Sequence, residues 1–98
     1  MSGVSNRRSP EFKKLFAALP EHIQLQSTLA YRQFVDNPAH PSLRHYALED
    51  NDRGSHKPGS HSVSITRKYR AVYSVVDGVN VWYWIGTHAD YDRLTGRK

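Results

Sequence analysis

The sequence predicts an α+β domain, with an N-terminal αα-hairpin packed on one face of a roughly four-stranded antiparallel sheet and a short C-terminal helical turn. Three observations carry this. Apolar residues recur at helical spacing before Asn37, β-rich runs appear only after Ser42, and Asp77-Gly78 separates two of those runs. Helices segregated in sequence from strands imply an α+β layering, with the helices on one side of the sheet.

Ser9-Pro10-Glu11 reads as a helix start. Ser9 is placed to cap free backbone N–H groups, Pro10 occupies a first-turn position where its missing N–H costs nothing, and Glu11 faces the positive end of the dipole. Phe12, Leu15, Phe16 and Leu19 follow at i, i+3, i+4 and i+7, an apolar stripe that needs a partner surface. Pro20 cannot continue that helix but can begin another, and Glu21 again suits a first turn. The second helix is expected to run to about Asp36, burying Ile23, Ala30 and Phe34, and Asn37-Pro38 stops it. Met1 to Arg8 is short, polar and basic, and is expected to be a flexible end or a poor edge strand.

Residues from Asn37 to Ser42 form a loop crossing to the sheet, and Leu43 to Leu48 is expected to be a strand. Glu49 to Ser60 carries Gly54, Pro58 and Gly59 among charged residues and reads as a connector. β character resumes at Val63 and Ile65. It culminates in the hairpin around Asp77-Gly78, because both central residues of a two-residue type I′ turn must accept φ > 0. Unbroken pairing sets Tyr73 against Trp82, Val72 against Tyr83, Ala71 against Trp84 and Arg70 against Ile85. Both faces of the hairpin are apolar, so it belongs inside its sheet, with Tyr73, Trp82, Tyr83 and Trp84 as core residues. A short helical turn over Ala89 to Leu94 ends the order.

With 98 residues the chain supports one domain, spanning residues 1–98. A net charge of +5 and a pI near 9.7 favour a polyanionic partner. The absence of cysteine excludes a disulfide scaffold and thiolate chemistry. No apolar run approaches a membrane span and the N-terminus is no secretory signal, so a cytoplasmic protein without a membrane partner is expected. The histidines show no spacing of a known zinc motif and no cofactor motif is present, so neither a metal nor another cofactor is expected.

The polar cluster at the end of the last strand, within Trp84-Ile85-Gly86-Thr87-His88-Ala89-Asp90-Tyr91-Asp92, resembles the RelE/ParE superfamily of toxins from type II toxin-antitoxin modules. The resemblance spans Glu11 to Leu94. It includes Leu19-Pro20, Asn37-Pro38, His40-Pro41-Ser42-Leu43-Arg44, Ser62-Val63 and Tyr69-Arg70-Ala71-Val72-Tyr73, and order and spacing carry the weight. It implies two helices on one face of a small antiparallel sheet and a basic concave groove on the other. For the RelE-like branch it implies a metal-free, ribosome-dependent endoribonuclease that cuts mRNA and is held inactive by a cognate antitoxin. For the ParE-like branch it implies a non-enzymatic inhibitor of DNA gyrase, and a catalytically inert member is the third alternative. His88 followed closely by Tyr91 is more like the nuclease branch. Many members carry Arg where this chain has Ser64, which removes one expected phosphate contact.

Metal-free RNA cleavage needs a group to take a proton from a 2′-OH, cations to stabilise the phosphorane, and a donor for the leaving 5′ oxygen. A histidine exchanges protons near neutrality and arginine presents forked donors to phosphate. His88, Tyr91 and Arg70 are therefore the catalytic candidates, with Arg67, Lys68, His61 and Arg44 as RNA or phosphate contacts. The structural alternatives are as definite: His88 as a helix cap, Tyr91 as an anchor of the tail, Arg70 in an ordinary salt bridge, and Arg67 and Lys68 as a solvated corner.

Overall fold

A computed structural model describes residues 5–48 and 54–96. Its organising element is the hairpin of β4 (Tyr69–Val76) and β5 (Val79–Thr87), turned at Asp77 (φ 50°) and Gly78 (φ 77°) as the two-residue link demands. The sheet has five strands in the order β1-β5-β4-β3-β2, with β1 at Ser5–Arg8, β2 at Tyr46–Ala47 and β3 at Ser60–Ser64. β4 is central, as its two apolar faces require.

The expected four-stranded antiparallel sheet is corrected to a five-stranded mixed one. Of the two alternatives for the basic N-terminus, a flexible end or a poor edge strand, residues 5–8 take the second as edge strand β1: it runs parallel to β5 with Arg8 beside Trp82, and Asn6 Oδ1 accepts from Asn80 Nδ2 at 3.2 Å and Trp82 Nε1 at 3.0 Å. Burying an indole N–H and an amide without partners is costly, so these two bonds give a polar segment a reason to dock. The expectation for residues 1–4 lies outside the described residues.

Two helices follow as the sequence demands. α1 (Pro10–Ala17) is capped by Ser9, whose Oγ accepts from Phe12 N at 3.2 Å, and α2 runs Glu21–Asp36. The helical hairpin packs Phe12 and Phe34 against Val63, Ala71, Tyr73, Trp82 and Ile85 on one sheet face. The expected strand at Leu43–Leu48 is instead a 3₁₀ turn at Pro41–Leu43, a left-handed Arg44 (φ 44°) and the two residues of β2. His40 Nδ1 accepts from Ser42 N at 3.2 Å, so local side-chain capping competes with the sheet ladder there.

The hairpin register holds from Val76/Val79 to Tyr73/Trp82 and then shifts by one residue, so that Val72 pairs with Trp84, Ala71 with Ile85 and Arg70 with Gly86. This β-bulge corrects the pairing read from the sequence. It turns Ile85 towards the helices and sends both Tyr83 and Trp84 to the opposite face. There Leu48, Val72, Tyr83 and Tyr91 form a second, smaller core.

α3 (His88–Thr95) lies against this second core. It is longer than the expected turn and is capped by Thr87, whose Oγ1 accepts from Asp90 N at 3.2 Å, while Gly96 (φ 77°) ends it. Within the expected connector, residues 49–53 lie outside the described residues. Its later part packs: Ser55 N donates to Leu94 O at 2.7 Å and Lys57 N to Tyr83 Oη at 2.9 Å.

Candidate functional site

Alternation along β3 and β4 decides which polar residues share a face. Ser60 bonds the Tyr83 hydroxyl on the α3 side, and Arg70, two residues before Val72, stands on that side too, with Ser64 directly across from it. Val63 and Tyr73 point to the helices, and His61 goes with them.

Arg70 is the centre of the α3 side. Its guanidinium carbon lies 5.1 Å from the centre of the Tyr91 ring, a cation–π seat. Its Nε and Nη1 are shielded from solvent and have no hydrogen-bond partner among the described residues. A charged donor in that state is costly, about 1–3 kcal/mol or more, and an anion bound there would relieve the cost. No carboxylate among the described residues pairs with it.

His88 begins α3 and is exposed. It does not cap the helix, since Thr87 does. Its backbone N–H donates to Lys68 O at 2.7 Å, which fixes the start of α3 against the β3–β4 turn and brings Arg67 and Lys68, both exposed, to the same rim. The His88 ring centre is 5.9 Å from that of Tyr91, and its Nδ1 is 3.5 Å from Asp92 Oδ2 one turn on. Asp90 pairs with Arg93 instead.

Tyr91 is 1% exposed, so its ring has no free face for a base, and the tail-anchor alternative describes its position. Its hydroxyl is hydrogen-bonded to the Tyr46 hydroxyl, and Ser62 Oγ approaches it without reaching hydrogen-bond geometry. Burial, reinforced by Tyr46, pushes the Tyr91 phenol up to about 12, so it keeps its proton at neutral pH.

Two sequence candidates stand elsewhere. His61 lies on the helix side, stacked on Tyr73 (ring centres 4.9 Å apart, planes 8° apart) beside His45, on the opposite sheet face from Arg70 and Ser64. Burial, and then His45, lowers its pKa. Arg44 is exposed at the β2 edge, with no described contact to Arg70, Tyr91 or His88. Conversely, Tyr46, Asp92 and the Lys68 carbonyl belong to the site, and only Asp92 had a signal in the sequence, its i+4 spacing from His88.

A groove of about 380 Å³ lies on the helix side, lined by Arg7, Arg8, Phe12, Tyr31, Phe34 and Trp82. It is apolar and remote from the α3 face, and holds none of the proton-transfer candidates. No group of three or more potential metal ligands occurs among the described residues, and none of the helices there is long and apolar enough to cross a membrane.

The α3 face of this α+β domain thus gathers a half-buried guanidinium, an exposed imidazole and a rim of two exposed cations. Solved structures sharpen this to a fold. The chain superposes on YafQ from E. coli strain BL21(DE3) with a TM-score of 0.64 and 15% identity, covering 89% of this chain and 96% of that one. It matches RelE of the archaeal RelE–RelB complex from Pyrococcus horikoshii OT3 at 0.61 and 16%, covering 88% and 96%. It matches the YoeB dimer from Staphylococcus aureus at 0.62 and 19%, covering 89% and 99%. No protein-family model matches the chain, and no curated protein does. The chain therefore has the fold of the RelE, YafQ and YoeB proteins along almost its whole length. RelE of Methanococcus jannaschii, with the same fold, was solved as an antitoxin–toxin complex with RelB.

Proposed function

We propose that this protein is the toxin of a type II toxin-antitoxin module, a cytoplasmic endoribonuclease that cleaves ribosome-bound mRNA without a metal and is silenced by a cognate antitoxin. The observation that carries the reading is Arg70: a guanidinium whose solvent-shielded Nε and Nη1 have no hydrogen-bond partner among the described residues, held over the Tyr91 ring that the exposed His88 also packs against. A phosphate diester supplies the missing acceptors, and an imidazole beside it supplies the proton transfer.

In this reaction the 2′-oxygen attacks phosphorus as its proton leaves, the P–O5′ bond breaks, and the 5′ oxygen takes up a proton. The products are a 2′,3′-cyclic phosphate end and a 5′-hydroxyl end. His88 is the proton-transfer residue, oriented by Asp92, and Arg70 neutralises charge on the phosphorane. Arg67 and Lys68 hold neighbouring phosphates at the rim. Tyr91 is a positioning residue, since it is buried, with its ring under Arg70 and its hydroxyl on Tyr46.

Controlled expression in bacteria tests this. Growth arrest with rapid loss of mRNA and breaks inside coding sequence is expected, relieved by His88→Ala. Arrest with intact mRNA and induced DNA-damage signalling would replace this reading with gyrase inhibition, and unimpaired growth would leave the chain an inert member of the fold.

A further inference from the structure

Of the five aromatics in the β4–β5 hairpin, Tyr73, Trp82 and Tyr83 are 4%, 5% and 8% exposed, while Tyr69 and Trp84 keep part of their surface in solvent. The β-bulge places Trp84 on the α3 face, where its ring centre is 6.2 Å from that of Tyr91. Its benzo edge occupies the room that a side chain at Gly86 would need: a Cβ there would lie 2.9 Å from Trp84 Cζ2 and 3.0 Å from Cη2. Gly86 is the residue paired with Arg70, so the indole lies along β5 over the position opposite Arg70.

We infer that Trp84 is a nucleobase platform: the base attached to the phosphate on Arg70, or its immediate neighbour, stacks on the exposed part of the indole. Trp84 and Arg70 are diagonal neighbours on paired strands, a separation of about 7–8 Å that the length of a nucleotide from phosphate to base can span. Every base has a π face, so the contact adds affinity with little sequence discrimination, as ribosome-bound messages of varied sequence require. Gly86 is what allows it, because any larger residue displaces the ring. The inference rests on the nuclease reading for its ligand, but not on cleavage itself.

The test measures binding of a 2′-O-methyl hexaribonucleotide, which cannot be cut because its 2′ oxygen is blocked, and of the same strand carrying abasic positions. Trp82 is buried and bonded to Asn6, so fluorescence quenching by the intact strand is expected to come from Trp84 and to vanish in Trp84→Phe. Trp84→Leu should weaken binding of the intact strand about 5- to 100-fold and leave binding of the abasic strand unchanged, while Trp84→Phe retains part of the affinity. Gly86→Ala, checked by circular dichroism for folding, should weaken the intact strand as Trp84→Leu does. Equal affinity of wild type and Trp84→Leu for the intact strand, or binding without quenching, overturns the inference. Binding with quenching but no cleavage of ribosome-bound mRNA would sink the nuclease reading and leave the platform standing; cleavage of ribosome-bound mRNA that Trp84→Leu leaves unchanged, with no binding of the hexanucleotide, would sink the platform and leave the nuclease reading standing.

Discussion

Replacing Tyr91 separates a residue that seats the guanidinium from one that moves a proton. Tyr91→Phe removes a hydroxyl whose hydrogen bond is to Tyr46, itself partly exposed and able to turn its O–H to water. The expected loss of stability is about 1 kcal/mol. The ring face under Arg70 survives, so mRNA cleavage should stay within about threefold of wild type. Tyr91→Leu removes that face. A cation–π contact at a partly desolvated site is worth about 1–2 kcal/mol, so a loosened Arg70 should lower kcat roughly 5- to 30-fold even where circular dichroism shows a folded protein. A proton-transfer role predicts the opposite pattern, because loss of a general acid or base costs about 10²- to 10⁴-fold and Phe is then as damaging as Leu. The assay is mRNA cleavage in a translation reaction at several pH values. A phenol pushed up to about 12 contributes no limb between pH 6 and 9, so the wild-type and Tyr91→Phe profiles should overlay. A folded Tyr91→Phe protein with activity down a hundredfold would refute the reasoning.

His61 should make the fold acid-sensitive. Its pKa is lowered by burial and by His45, so the unfolded chain binds its proton first; stability is full above about pH 6.5 and falls as the pH drops below it. His61→Gln, followed by thermal unfolding from pH 7.5 to 5, should flatten that slope, and an unchanged slope would remove His61 from the account. Arg67→Gln and Lys68→Gln should each lower the salt dependence of RNA binding by about 0.7 in log K against log salt concentration, since each releases one counterion from a single strand. A slope unchanged in both variants would place these cations outside the interface.

Much of the architecture was legible because single residues decide it. Ser9-Pro10-Glu11 set the first helix, and Asp77-Gly78 fixed a turn that only residues tolerant of φ > 0 can make. What was not legible arises from long-range pairing. β1 gains its place from Asn6 reaching Asn80 and Trp82 more than seventy residues away, and its polar sequence carries no period-two signal. The bulge after Tyr73 has the same character: unbroken alternation predicts Arg70 opposite Ile85, and only packing against two different layers selects Gly86. The site followed suit. Arg70 and His88 each pack against Tyr91, and His88 N–H reaches Lys68 O, whereas the alternation of β3, whose register depends on its neighbours, puts His61 on the helix side. Tyr46 gave no local signal at all, since its role depends on a contact 45 positions along the chain.

The most direct test is a purified translation reaction in which mRNA ends are mapped by primer extension, with wild type, His88→Ala and Arg70→Gln added at equal concentration. Cuts inside codons that require the ribosome, persist in the presence of a metal chelator that spares it, and disappear in both variants are expected. Intact mRNA with the wild type, or cuts that survive loss of either side chain, would contradict the assignment of imidazole and guanidinium as the working pair.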